Sequence, residues 1–209
     1  MVPGVTPRIN VLTFADYVNT AGGRRIGLIS AQAAMYAPGG AAWMFYQPIR
    51  IAIKRGRQEC RDEVMLAQAV ERARPVQAPH YKQLTSGWLG TMPTRRPSYV
   101  PVGETTVDIG PVTVRVKPDL GLRRANGTTD VCVLYLKQAP LSRDVAQVVL
   151  DAMRRGMPSL LPDGAAVVVD VRRGTWFRPG KRVRKGFAGW MQSEAVAYAH
   201  HWELATSAA

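Results

Sequence analysis

Cysteine and histidine are scarce in this 209-residue chain. Its two cysteines, Cys60 and Cys132, lie far apart and lack the spacing of a zinc or thiol redox motif. We therefore expect two ordinary thiols in a reducing compartment rather than a disulfide. The three histidines include the adjacent His200 and His201, for which no third ligand is spaced to complete a metal site.

Long apolar runs are also missing. A helix that crosses a bilayer needs about 20 mostly apolar residues, and the nearest candidate, residues 26–45, contains Gln32 and Pro38-Gly39-Gly40. No basic segment followed by an apolar one, the pattern of a signal peptide, opens the sequence. We expect a cytoplasmic protein that does not associate with membranes. Neither a phosphate-binding loop nor a spaced Ser–His–Asp set is recognisable.

Basic residues, in contrast, are abundant. The chain has 28 Lys and Arg against 15 Asp and Glu, which gives a formal net charge of +13 and a pI near 10.4. Such an excess favours a polyanionic partner, most often nucleic acid. A GC-rich coding bias would explain why most of these residues are Arg, but it would not explain the shortage of acids.

The chain changes character near residue 102. Residues 1–101 form a predicted helical region with a loose arm at 1–10, helix starting at Thr13, and a Pro-rich connection at 75–101. Residues 102–209 alternate strand and helix patterns. The predicted elements are strands at 104–109, 112–119, 131–137 and 165–171, and helices at about 140–156 and 187–204. Pro140-Leu141-Ser142 supplies the N-cap of the first of these helices. We predict a mixed α/β fold in which helices flank a central mixed β-sheet, with a helical N-terminal extension in the same compact unit.

A predicted hairpin at residues 112–137 contains the most informative side chains. Valines alternate with polar residues from position 112 as in a half-buried strand, and Asn126-Gly127 is a strong turn signal. If residues 112–119 pair with residues 131–137 across this turn, Asp119 lies roughly opposite Leu134 or Tyr135. Asp119, Tyr135 and Lys137 would then cluster.

The order strand, Pro-Asp, hairpin, strand ending in Lys, helix, strand, helix resembles the core of the PD-(D/E)xK nuclease superfamily, which includes type II restriction enzymes, the RecB nuclease domain and the phage lambda exonuclease. The resemblance covers about residues 104–204, with Pro118-Asp119 and Lys137 matching its short motif. It implies a restriction-endonuclease-like core that hydrolyses phosphodiesters with Mg²⁺ or Mn²⁺. In that role Asp119 binds the metal, and Lys137 orients the attacking water.

Position 135 departs from this motif, because Tyr135 stands where the family has an acid. The second metal ligand would then come from Glu104, Glu63 or Asp108, and spacing does not choose among them. Tyr135 itself is counted among the candidate catalytic residues. The alternative is a protein that keeps the nuclease scaffold and binds nucleic acid without cutting it.

Residues 172–185 carry seven Lys or Arg and no acid. Cations interleaved with aromatic side chains suit a phosphate backbone and a stacked base, whereas a solvated loop is the alternative. The candidate nucleic-acid-binding residues are Arg172, Arg173, Trp176, Arg178, Lys181, Arg182, Arg184, Lys185 and Tyr198. Tyr198 is included because Glu194 and Tyr198 resemble the Gln-x-x-x-Tyr pair of RecB-like nucleases; a polar pair beside a packing face is the other interpretation. We expect DNA rather than RNA as the partner.

A third hypothesis is an interaction subunit of a larger assembly, which binds another protein or a second copy of itself. The apolar residues of segment 35–46 and Trp88 are the candidate docking surfaces for this role.

Overall fold

The computed structural model describes residues 7–37, 42–92, 96–180 and 184–207. In these ranges the chain forms seven α-helices and two mixed β-sheets, so the predicted mixed α/β class is confirmed. The elements in chain order are β1 Arg8–Asn10, α1 Val11–Asn19, α2 Arg24–Tyr36, a 3-10 helix Ala42–Phe45, α3 Gln47–Glu59, α4 Asp62–Glu71, α5 Ala78–Thr91, β2 Ser98–Val100, β3 Thr105–Ile109, β4 Val112–Val116, β5 Leu120–Arg123, β6 Thr129–Tyr135, α6 Arg143–Leu160, β7 Gly164–Asp170, β8 Thr175–Phe177 and α7 Phe187–Ser207. No described helix is both long and apolar enough to cross a membrane.

The strands form two sheets rather than the one central sheet that the sequence predicted. The larger sheet has the order β2-β5-β6-β7-β8, and its only parallel neighbours, β6 and β7, are connected through α6. The smaller sheet has the order β1-β4-β3, in which β1 runs parallel to β4. Residues from the N-terminal region therefore belong to a sheet that is otherwise built from the second half of the chain.

Successive side chains along β6 and β7 point to opposite faces of the larger sheet, and almost all of them are buried. Both faces of this sheet are therefore covered. One face, with Leu134 and Val169, packs with apolar residues of α3, α4 and α5. The opposite face, with Val133 and Val168, packs with α1, α6, α7 and the smaller sheet. The continuous apolar run predicted as a central strand is confirmed as β7, which lies between β6 and β8.

Two local signals are confirmed in detail. The N-cap of α6 is Ser142, whose Oγ accepts a hydrogen bond from the Val145 N–H at 3.3 Å. The turn at Asn126-Gly127 closes the β5–β6 hairpin, and Gly127 has a φ of 85°, which a residue with a Cβ adopts only with strain. Both cysteines are free thiols.

The predicted strand Val112–Asp119 is wrong in its second part. β4 ends at Val116 and pairs with β3 and β1, whereas β6 pairs with the separate strand β5. Pro118 explains the break, because proline has no N–H to donate within a sheet. The chain therefore passes from the smaller sheet to the larger one between Val116 and Leu120.

Other corrections concern ends of elements and short strands. The first helix is capped by Asn10, whose side chain accepts from the Leu12 N–H at 2.9 Å, rather than by Thr13. Helix α6 continues past Gly156 and contains Pro158 in its last turn, where a missing N–H costs one hydrogen bond near the helix end. Strands β1, β2 and β8 lie in segments predicted as arm, connection and loop. Three-residue strands are fixed by their partners rather than by a local pattern.

Candidate nucleic-acid interface

Five of the predicted site residues, Asp119, Tyr135, Lys137, Arg172 and Arg173, lie at one edge of the larger sheet. Because β6 and β7 are parallel, their C-terminal ends meet at the same edge, and Tyr135 pairs in register with Asp170. β5 is antiparallel to β6, so Asp119, which precedes β5, lies at that edge too. We call this the β6–β7 edge; it consists of residues 135–138 and 170–174 together with Asp119.

Asp119 lies beside Leu134, as predicted. The Leu134 N–H donates to Asp119 Oδ2 at 2.7 Å, and Arg50 of α3 forms an ion pair with Oδ1. A second Nη of Arg50 donates to the Leu134 carbonyl at 3.4 Å. Both carboxylate oxygens are therefore occupied by donors, and the cation that neutralises Asp119 is a guanidinium group.

Lys137 forms an ion pair with a different acid, Asp16 of α1. Burial raises the pKa of Asp16, and the charge of Lys137 offsets only part of that rise. Tyr135 is buried beside this pair, and its pKa is raised to about 12 by burial and then by the charges of Asp16 and Asp170. The phenol is therefore neutral near pH 7. Asp119 and Lys137, predicted as one site, make ion pairs with separate partners.

The acids considered as second metal ligands are engaged elsewhere. Glu104 accepts hydrogen bonds from Arg115, which is the largest cause of its lowered pKa. Glu63 accepts hydrogen bonds from Arg96, which lower its pKa to about 2. Asp108 accepts from a threonine hydroxyl of β4 at 2.8 Å. In the described ranges, no group of three His, Cys, Asp or Glu is arranged to hold a metal ion.

The side chains around Asp119 therefore do not fit the Mg²⁺ or Mn²⁺ centre that the resemblance implies. Such cations bind several oxygen ligands and favour carboxylates. Here Asp119 faces the guanidinium of Arg50, and the only other negative charges at this edge, Asp16 and Asp170, are paired with Lys137 and Arg173.

Arg172 is positioned at the β6–β7 edge by uncharged acceptors alone. Its Nε donates to the Lys137 carbonyl at 3.3 Å and one Nη donates to the Leu136 carbonyl at 3.3 Å. The guanidinium also donates to His80 Nδ1 at 3.2 Å and to the side-chain oxygen of Gln83. No carboxylate takes part, so the orientation of Arg172 is fixed while its charge stays uncompensated.

An open groove of about 530 Å³ lies next to Arg172, between α5 and the turn after β7. Its described lining contains two charged residues, Arg172 and Arg173, and its other members are small or polar. Those members are Gln83, Ser86, Gly87, Gly90, Thr91 and Gly174. Gly87 permits the close approach of helix and turn, because a Cβ at this position would lie 1.9 Å from the Val171 carbonyl oxygen. We call this the Arg172 groove.

Two other predicted nucleic-acid-binding residues, Arg173 in the groove and Arg178 after β8, differ from Arg172 because each pairs with an acid. Arg173 forms an ion pair with the buried Asp170 at 3.1 Å. Arg178 donates twice to the buried Asp130, at 2.7 and 2.8 Å, and its guanidinium carbon lies 6.0 Å from the centre of the Trp176 ring. Burial works to raise the pKa of Asp130, but the hydrogen bonds from Arg178 and a second arginine outweigh it and lower that pKa.

The remaining predicted residues have mixed outcomes. Lys181 and Arg182 lie outside the described residues. Arg184 and Lys185 are exposed just before α7. Tyr198 is fully buried, donates to the side-chain oxygen of Gln32 at 3.0 Å, and packs against neighbouring aromatic rings. Its side chain therefore belongs to the core, and we do not include it in the interface.

Basic side chains without an ion pair concentrate on the helical layer that covers one face of the larger sheet. All 15 acidic residues of the chain lie within the described ranges, so their ion pairs can be assigned. The basic residues of this layer and of the Arg172 groove that pair with none of them are Lys54, Arg55, Arg61, Arg72, Arg74, Lys82 and Arg172. Six further cations without an ion pair, Arg8, Arg24, Arg123, Arg143, Arg184 and Lys185, lie elsewhere in the described ranges, so this layer and groove hold seven of thirteen.

Sequence reasoning missed several residues at this edge. Arg50, Asp16 and His80 contact Asp119, Lys137 and Arg172 across separations of 69, 121 and 92 residues. No motif links these positions, since the contacts arise only when α1, α3 and α5 pack on the sheet.

No family model, no curated protein and no solved structure matches the chain. The function is therefore inferred from the chain's own residues.

Proposed function

We propose that this protein binds nucleic acid through its phosphate backbone, with the Arg172 groove as the central contact, and does not cut it. One observation carries the proposal. The guanidinium of Arg172 is held by four uncharged acceptors and no carboxylate. An arginine that is oriented in advance but not neutralised is suited to bind a phosphate oxygen, because part of the ordering cost is already met.

The surroundings of the Arg172 groove support the same partner. Lys82 is exposed on α5 next to Gln83, which itself contacts Arg172. The unpaired cations on α3 and in the segments that flank α4 extend the positive surface away from the groove. A long anion with regularly spaced charges uses such a surface better than a small ligand does, because each phosphate contact releases counterions.

A scaffold related to nucleases is also supported, in part, by the element order. The strand before Pro118-Asp119, β4, belongs to the smaller sheet, but β5, β6, α6, β7 and α7 occur in the order that the resemblance requires, with the short strand β8 before α7. Asp119 and Lys137 lie at one edge of the larger sheet. Their charges, however, are neutralised by Arg50 and Asp16. We therefore favour the interpretation in which the restriction-endonuclease-like core is kept for binding.

The test is a fluorescence-anisotropy titration of the protein with labelled DNA and RNA, single-stranded and duplex, over salt from about 50 to 200 mM. The expected result is binding that weakens steeply with salt. Arg172→Gln is expected to lower the affinity about tenfold, as for the loss of one charged hydrogen bond. Lys82→Gln tests the surface beside the groove with an exposed side chain that forms no ion pair.

Arg154→Gln is the matched control for this test. Arg154 lies on α6, on the opposite side of the larger sheet, and its substitution removes the same charge. An unchanged affinity in Arg172→Gln and Lys82→Gln, or an equal loss in Arg154→Gln, would contradict binding at the Arg172 groove. Affinity that does not respond to salt would contradict a phosphate partner.

Phosphodiester hydrolysis, the activity that the resemblance implies, has its own test. Labelled DNA and RNA are incubated with the protein and Mg²⁺ or Mn²⁺, and products are separated on a denaturing gel. We expect intact substrate. Cleavage that disappears in both Asp119→Ala and Lys137→Ala would establish the nuclease and reject a binding-only role.

A further inference from the structure

A second groove, of about 250 Å³, lies between α3 and α4. Its floor and walls are mostly apolar: Ile51 and Ala52 come from α3, Met65 and Ala69 from α4, and Tyr81 from α5. We call it the α3–α4 groove. It shares no lining residue with the Arg172 groove.

The shape of this groove follows from the residues that pack along the two helices. α3 and α4 form a tight helical hairpin, because Cys60 adopts a φ of 55° and reverses the chain within two residues. The two helices touch closely near this turn, where a Cβ on Gly56 would lie 2.8 Å from the Asp62 Cα. Farther from the turn, Ala52 and Ala69 are too short to fill the space between the helices, and a depression results.

Apolar surface at this depression is left in water. Ile51 is 41% exposed although it lines the groove, and Val76, next to the lining residue Gln77, is 61% exposed. Covering such side chains is favourable, because it removes apolar surface from water. The apolar floor also distinguishes this groove from a phosphate-binding site, because a phosphate group gains nothing from contact with apolar side chains.

The charges at the α3–α4 groove have one sign. Arg55 and Arg72 line it, and its described lining includes no carboxylate. Neither arginine forms an ion pair with any Asp or Glu of the chain, all of which are described. A ligand that fits both features therefore combines apolar side chains with negative charge.

We propose that the α3–α4 groove binds an acidic amphipathic helix of a partner protein. Two helices packed side by side offer a groove into which the side-chain ridges of a third helix fit. The apolar face of the partner helix lies on Ile51, Ala69 and Met65. Its acidic residues flank that face and pair with Arg55 and Arg72.

A second copy of this chain does not supply such a helix. Its helical acids without an ion pair are Glu59, Glu71, Asp144 and Glu203, and they lie on four different helices. No described helix therefore presents a row of free acidic side chains beside an exposed apolar face. The partner is a different protein.

The probe for this proposal is a synthetic amphipathic peptide with leucines at helix positions i, i+3, i+4 and i+7 and glutamates beside them. A peptide of the same composition with the leucines scattered around the helix is the matched probe. Binding is followed by anisotropy and by the methyl NMR signals of the full-length protein. The Ile51 and Met65 methyl signals are expected to shift, while those of Ile9 and Met191, buried elsewhere, stay in place.

The charge requirement is tested with the double variant Arg55→Glu/Arg72→Glu. It is expected to lower the affinity for the acidic peptide at least about tenfold, since like charges would then face each other. Lys54→Glu/Arg61→Glu makes the same change of charge outside the groove lining and should retain most of the affinity.

Equal binding of the ordered and scattered peptides, or equal losses in the two double variants, would overturn the proposal. So would a concentration-dependent dimer whose formation shifts the Ile51 and Met65 signals, because a second copy would then occupy the groove. Arg172→Gln leaves peptide binding unchanged if the two grooves act separately. Peptide binding that is lost in this variant also contradicts the proposed site.

Discussion

Arg57 and Arg172 contact the same helical layer and have opposite electrostatic surroundings. Arg57 is 2% exposed and donates to the fully buried Asp62, which also accepts from the Trp88 indole at 3.1 Å. Arg172 is half-buried and bound only by uncharged acceptors. The first arginine connects α3, α4 and α5 through one carboxylate, and the second keeps its charge for a ligand. A count of basic residues cannot separate these two roles, whereas their partners do.

The largest loss of stability is expected when a buried ion pair is broken. Asp62→Ala leaves the Arg57 guanidinium buried without a carboxylate, and should lower the free energy of unfolding by about 3–5 kcal/mol in urea denaturation. Glu63→Ala, the next residue along α4, removes an exposed acid and should lower the free energy of unfolding far less, because water screens its ion pair. Equal stability of the two variants would show that the buried pair does not hold the layer together.

Trp88 is not the docking surface that the sequence predicted. It is fully buried and donates to Asp62, so it is part of the core and not a surface for a partner. The other predicted surface, residues 35–46, includes positions 38–41 outside the described residues.

The next largest loss of stability is expected at Gly87, in the wall of the Arg172 groove. Gly87→Ala places a Cβ against the Val171 carbonyl and should destabilise the fold by about 1–3 kcal/mol, because helix and turn must separate. Gly90→Ala, three residues along α5, meets no atom within 4 Å and should stabilise the helix by about 0.5–1 kcal/mol. Thermal unfolding of both variants decides whether the approach of α5 is as tight as the geometry requires.

Arg178, which forms an ion pair, and Arg172, which does not, should differ when both stability and nucleic-acid affinity are measured. Arg178→Gln removes a partner of the buried Asp130 and should lower stability by less than about 2 kcal/mol, because Arg124 still pairs with Asp130. Its nucleic-acid affinity should change less than about twofold. Arg172→Gln should show the larger loss of affinity. The reverse order in an anisotropy titration would mean that the ion pair with Asp130 opens on binding.

The smallest effect is a shift of one exposed carboxyl group. Arg96 holds the pKa of Glu63 at about 2, below the ordinary 4.5. The Glu63–Arg96 pair therefore stabilises the fold above about pH 4.5, and this stabilisation is lost as the pH falls through about 2. In Arg96→Gln the pKa of Glu63 should return toward 4.5, as followed by the NMR signal of its carboxyl carbon. Arg61→Gln, which removes an unpaired charge nearby, serves as the control and should leave the titration in place.

Local signals predicted the parts of the fold that depend on neighbouring residues. Ser142 as a cap, the turn at Asn126-Gly127 and the apolar strand β7 were all readable, because caps, turns and buried strands are specified over a few residues. Pro118 matches the short motif of the resemblance, but its structural effect is to end β4. Its missing N–H was sufficient to indicate the break.

Long-range pairs were not readable in the same way. The position of Asp119 beside Leu134 followed from the hairpin and was correct, but Arg50 as its partner depended on the packing of α3 against the sheet. Likewise, the basic segment 172–185 indicated that Arg172 and Arg178 could bind an anion, but not which residues of the fold they contact. Burial and pairing, which decide their roles, are properties of the assembled layers.

The parallel pairing of β1 with β4 also has a consequence for synthesis on the ribosome. Arg8 pairs with Thr113 and Asn10 with Arg115, so the smaller sheet cannot form until more than half of the chain has been made. Until then β1 exposes unpaired backbone groups, and closing so long a loop is slow. Strand β1 is therefore made long before its partner β4 and is among the last elements to reach its final place.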